Sequence, residues 1–82
     1  MDAIAGSIQE RGAEMRTIVE TSKGYVLVDT CDPADHGLET MVLSCTEDGN
    51  AISYSDLDVR HYATVREAIK GHWDLVEKWR SK

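Results

Sequence analysis

The side chains able to do covalent or metal chemistry in this 82-residue chain are few: Cys31, Cys45, His36, His61 and His72. A structural zinc site draws pairs of cysteines or histidines at short spacing, and no two cysteines or two histidines here are so spaced. The turns predict an antiparallel register in which Cys45 opposes Tyr25, six residues along the strand from Cys31. At about 3.3 Å per residue that separates the thiols by roughly 20 Å, whereas a disulfide requires Cα atoms within about 7 Å. Two free, partly buried thiols in a reducing compartment are expected. Serine, aspartate and histidine are present without a G-x-S-x-G elbow, a phosphate-binding glycine loop or an H-E-x-x-H helix, so no nucleophilic constellation is visible. Asp29-x-x-Asp32-x-x-Asp35 has the charge to attract Ca²⁺ or Mg²⁺ but lacks the D-x-D-x-D-G loop form. The chain reads as a non-enzyme with no metal and no cofactor. A small metal-dependent protein or enzyme using Cys31, His36 or His72 is the weaker alternative.

Charge is more informative than chemistry. The net charge is −6, which argues against direct binding to nucleic acid or anionic lipid, since neutralising phosphates needs a surplus of Lys and Arg. The acidity is concentrated. Between Lys23 and Arg60 stand Asp29, Asp32, Asp35, Glu39, Glu47, Asp48, Asp56 and Asp58 with no Lys or Arg among them, while the rest of the chain is slightly basic. A surface of this kind keeps a small protein soluble, and it also suits docking on a basic groove.

These residues need a scaffold, and the sequence predicts one α+β domain over residues 15–82, preceded by a weakly ordered segment, residues 1–14. Arg16–Glu20 and Tyr25–Cys31 flank a Gly-bearing turn and read as a hairpin. Glu39–Thr46 is a third strand. Asp48-Gly49 centres a two-residue turn into a fourth strand, Ala51–Asp56. The expected fold is an antiparallel β-meander of three to four strands with a C-terminal amphipathic helix packed on one face. That helix spans Tyr62–Trp79 and opens with a Thr64-Val65-Arg66-Glu67 capping box. Its apolar stripe follows Val65, Ile69, His72, Val76 and Trp79, which lie within about 40° of one line, and Ala68 and Leu75 widen it. His72, inside that stripe, is expected to be a core imidazole bonded to the backbone or to a sheet side chain. The predicted register gives the helix a bed of Val19, Tyr25, Leu27, Met41, Leu43, Cys45, Ile52 and Tyr54. It leaves Ile18, Val26, Val28 and Val42 as an outer apolar face that could join two copies of the chain, with Trp73 at the helix border as a further interface residue.

Glu39-Thr40-Met41-Val42, Tyr62-x-Thr64, Glu67-Ala68, Gly71-His72 and Val76-Glu77-Lys78-Trp79 together resemble a group of small uncharacterised proteins encoded by phages and prophages. The resemblance covers about residues 39–80. It departs at Leu43, where such sequences often carry an aromatic, and at Trp73, where a polar residue is usual. What it implies is a phage context, and it brings no catalytic residue with it. The expected function is that of a non-enzymatic, phage-type binding protein in the host cytoplasm. Its acidic surface would engage a basic protein partner, as an anti-CRISPR-like or DNA-mimic inhibitor of a host nucleic-acid-binding defence factor would. A homodimeric structural or assembly module of a phage is the alternative. The N-terminal residues carry no signal-peptide pattern, and no apolar run approaches the ~20 residues of a membrane span.

Overall fold

The computed structural model describes residues 8–9, 12–13, 15–32, 37–53 and 55–82. Two short strands, β1 (Ile8–Gln9) and β2 (Gly12–Ala13), pair with each other; most of the N-terminal segment expected to be weakly ordered lies outside the described residues. The body is a four-stranded antiparallel meander, β3 (Met15–Thr21), β4 (Gly24–Cys31), β5 (Leu38–Cys45) and β6 (Asp58–Tyr62), in the order β3-β4-β5-β6. Helix α1 (Val65–Arg80) lies across one face. The α+β meander with a packed C-terminal helix is therefore the observed fold. No helix among the described residues is long and apolar enough to cross a membrane.

Strands β4 and β5 follow the predicted pairing, with Leu27 opposite Leu43 and Tyr25 opposite Cys45. The fourth does not. The turn after β5 holds three residues, Glu47-Asp48-Gly49. Thr46 N–H donates to Asn50 O at 2.9 Å, Gly49 N–H donates to Thr46 O at 2.9 Å, and Gly49 has φ of 90°. Three-residue loops place a residue with positive φ in this position, a conformation natural to glycine. Cys45 consequently bridges Ala51 and not Ile52. The chain then leaves the sheet and rejoins it at Leu57, whose N–H donates to Val42 O at 2.7 Å. The fourth strand is Asp58–Tyr62, which sequence patterning leaves as a lead-in to the helix, and Met41 opposes Val59 in place of Asp56. The physical reason is that β6 is an edge strand, exposed along most of its length. It needs no apolar alternation, and its charged residues suit an edge.

The face covered by the helix is also the opposite of the expected one. Val19, Val26, Val28 and Val42 pack with Leu75 and Val76 in the main core, flanked by half-buried Trp73 and Trp79. Val28 and Val42 have no exposed surface, so the proposed apolar interface of Val26, Val28 and Val42 is the interior of a single chain. Ile18 and Val19 exchange the roles expected of them: Val19 opposes Val26 in the core, and Ile18 lies on the far face, 42% exposed. On that far face Leu27, Leu43 and Cys45 are nevertheless buried, and Gly49 from the three-residue turn folds back within contact of Ile18. Each fully buried Val or Leu contributes about 1.5–3 kcal/mol of transfer free energy, so both faces matter to stability.

Helix α1 starts as predicted. Thr64 Oγ1 accepts from Glu67 N–H at 3.1 Å and Glu67 Oε1 accepts from Thr64 N–H at 3.2 Å, closing the capping box. Its buried residues are Ala68, Gly71, His72, Leu75 and Val76, while Val65 is exposed. The buried stripe is thus turned by roughly 50° from the Val65 line toward Gly71. Gly71 allows this turn: a Cβ there would lie 2.3 Å from Tyr62 Cε1. Bare backbone at that point lets the Tyr62 ring lie between helix and sheet beside Leu38 and Ala68.

Candidate functional site

Two features are candidates, a buried polar chain under the helix and the acidic surface. The first grows from strand alternation. Thr17 lies on the same face of β3 as Val19, Thr30 follows Val26 and Val28 in step on β4, and Thr40 precedes Val42 in step on β5. Strands β3, β4 and β5 therefore each place a threonine within the row that faces α1, and Thr30 opposes Thr40 directly. His72 lies above them with both ring nitrogens bonded: Nδ1 is 2.7 Å from Thr30 Oγ1 and Nε2 is 2.8 Å from Thr17 Oγ1. Thr30 and Thr40 hydroxyls bond each other, and Tyr62 O–H donates to Thr40 Oγ1 at 3.0 Å.

One direction of bonding satisfies every member. Tyr62 donates to Thr40, Thr40 to Thr30, Thr30 to the Nδ1 lone pair of neutral His72, and Nε2–H to Thr17. His72, Thr30 and Thr40 are wholly buried, and burial pushes the imidazole pKa down to about 4. The chain therefore holds a neutral imidazole inside an apolar core. A general base must reach its substrate, and this one is covered by its own helix. His72 is, as its position predicts, a core imidazole bonded to sheet side chains.

The other chemical candidates are dispersed. Cys31 is half-buried and Cys45 buried at opposite ends of the sheet, neither in a disulfide, and burial raises the Cys45 pKa. His61 is exposed, its Nε2 3.2 Å from Glu39 Oε1. His36 and Asp35 lie outside the described residues, as does Tyr54. Among the described residues no three His, Cys, Asp or Glu side chains are grouped to hold a metal ion.

The acidic residues divide into three kinds of environment. Asp29 and Glu39 point away from the helix, the first 4.0 Å from Arg16 Nε and the second beside His61. Asp32, Glu47, Asp48 and Asp56 are exposed in connecting segments and make no ion pair with any described residue. The charge of Glu20, and after it that of Glu47, raises the pKa of the Tyr25 phenol. Asp58 departs from the expected acidic surface altogether. Its Oδ2 accepts from Lys78 Nζ at 2.7 Å and from Trp79 Nε1 at 3.2 Å, tying β6 to the last turns of α1. The Lys78 bond, first among the causes, holds the Asp58 carboxyl below its ordinary pKa although burial opposes it. Replacing Asp58 by alanine is expected to cost about 1–2 kcal/mol, read as a lower urea midpoint. An unchanged midpoint would mean that the tie does not hold the edge strand.

Sequence reasoning missed the threonines, and a signal for them existed. Thr17-x-Val19, Val26-x-Val28-x-Thr30 and Thr40-x-Val42 keep one parity, so the β face that carries valines is also the one able to bond a helix histidine. The chain matches no protein-family model, no curated protein and no solved structure.

Proposed function

We propose that this is a non-enzymatic, phage-type binding protein whose acidic surface engages a basic protein partner and competes with nucleic acid for it. The observation that carries this reading is the set of exposed carboxylates, Asp32, Glu47, Asp48 and Asp56, that the fold leaves without ion pairs among the described residues. Uncompensated charge of one sign raises the local potential and steers an oppositely charged partner. Asp29 and Glu39 continue the acidic surface across the sheet face remote from α1, between the Glu47-Asp48 turn and Asp32. Basic surfaces that bind DNA or RNA have the complementary charge.

The test is capture from a host lysate on the immobilised chain at low and high salt, followed by competition with a DNA duplex. Basic proteins retained at low salt, released at high salt and displaced by the duplex are expected. The triple variant Asp32→Lys, Glu47→Lys, Asp48→Lys should bind the retained protein at least about tenfold more weakly. Binding indifferent to both salt and charge reversal would refute the electrostatic reading.

A further inference from the structure

We propose that two copies of this chain join edge to edge through β3, in the register that sets Ile18 opposite Ile18 of the other copy. β3 is flanked by β4 on one side, and no described strand pairs with its other side. Thr21 and Gly24 close the two-residue turn as the end pair of the β3–β4 ladder. In such a turn the closing pair exchanges both backbone hydrogen bonds, and bonded and non-bonded pairs alternate from there. Val19, Thr17 and Met15 therefore spend their amides on β4, and Arg16, Ile18 and Glu20 turn theirs to the edge away from β4.

A twofold axis perpendicular to the sheet brings these same three residues of each copy together. Centred on Ile18, it pairs apolar Ile18 with its equivalent, Arg16 with Glu20 of the other copy, and Glu20 with Arg16 of the other copy. All are bonded pairs by the alternation above, and all three side chains share the face remote from α1. Shifting the register by two residues sets Ile18 against a charge and forfeits both ion pairs. The self-complementary pattern Arg16-x-Ile18-x-Glu20 thus selects one isologous register. Arg16 is half-exposed and only 4.0 Å from Asp29, so it keeps that neighbour while gaining the glutamate. On the helix side a groove of about 460 Å³, lined by Thr17, Val19, Thr21, Val76 and Arg80, opens along this edge and leaves room for the side chains of the second copy. Both helices then lie on one side of a continuous sheet. This edge contact differs from the sheet-face dimer that sequence patterning suggests, because that face is core.

Sedimentation equilibrium over roughly micromolar to millimolar concentration tests it. The unmodified chain should dimerise. Arg16→Glu and Glu20→Arg should each weaken the dimer about tenfold or more, since each replaces two cross-strand attractions with two repulsions. The double exchange should return it to within about threefold of the unmodified chain. Arg16→Glu also meets Asp29, so if that variant unfolds, Ile18→Pro serves instead: it removes an outward N–H that the β3–β4 ladder does not use and should give a folded monomer by circular dichroism. A monomeric unmodified chain over the whole range, a double exchange as weak as the single variants, or a dimeric Ile18→Pro would each overturn the proposal.

Discussion

Between pH 6.5 and pH 4 the unmodified chain is expected to lose about 3 kcal/mol of stability that a His72→Gln variant does not lose. The sign follows from linkage. His72 titrates near 6.5 when unfolded and at about 4 in the folded chain, so in this interval the unfolded state binds the extra proton and acid favours unfolding. Each pKa unit corresponds to about 1.4 kcal/mol, and the loss is complete once the pH falls below the folded value. Asp58 contributes in a lower window. Its folded pKa lies below 3.8, so its stabilisation is present above that value and fades beneath it. Urea unfolding of both proteins at half-unit steps of pH separates the two groups. The glutamine variant begins from lower stability, because it loses ring volume and cannot reproduce both bonds to Thr17 and Thr30. What decides the matter is the difference in slope. Parallel curves for the two proteins would mean that His72 is not held neutral by burial, and the polar chain would then need a different account.

The second large effect is expected at Gly71. In an open helix, Gly→Ala adds up to about 1 kcal/mol of stability. Here a Cβ would stand 2.3 to 2.5 Å from Tyr62 Cε1, Oη and Cζ. The ring cannot yield freely, since its hydroxyl donates to Thr40 and its body packs on Leu38 and Ala68. Gly71→Ala should therefore destabilise by about 2–3 kcal/mol, in the range of overpacked cores. A double-mutant cycle identifies the cause. Tyr62→Ala costs stability of its own, but in that background Gly71→Ala should be neutral or stabilising, a coupling of at least about 2 kcal/mol between the positions. An equal loss in both backgrounds would place the penalty elsewhere than in the Tyr62 ring.

The parts of this fold that read directly from residue order are those whose determinants are local. Thr64 and Glu67 satisfy each other's backbone partners within one turn, so the helix start depends on little else. The hairpin around Ser22-Lys23 and the pairing of β4 with β5 follow from turn position and alternation. The turn at Gly49 shows how narrow the margin is. A loop of three residues in place of two moves Cys45 from Ile52 to Ala51, and in a structure of period two a single step changes every face beyond it. β6 has almost no apolar pattern to reveal it, because it is held by backbone pairing with β5 and by Asp58 reaching Lys78 and Trp79, contacts about twenty residues apart in the chain.

The chemistry of Cys31, Cys45, His36, His61 and His72 was bounded by spacing alone, and so was the concentration of acid between Lys23 and Arg60. By itself the sequence determined an α+β meander, a capped helix with a histidine on its buried stripe, and a strongly acidic middle. Only the tertiary structure decided which sheet face the helix takes. Both faces carry large apolar residues, but in the observed register the face remote from α1 also holds Arg16, Glu20, Asp29 and Glu39, whereas the rows of β3, β4 and β5 that face α1 hold no charged residue. Hydrogen bonding acts in the same direction: a buried imidazole must be satisfied at both nitrogens, and the valine face carries Thr17, Thr30 and Thr40. That same choice turns Ile18 outward, brings Gly71 against Tyr62, and leaves Arg16, Ile18 and Glu20 together at the edge of β3 away from β4.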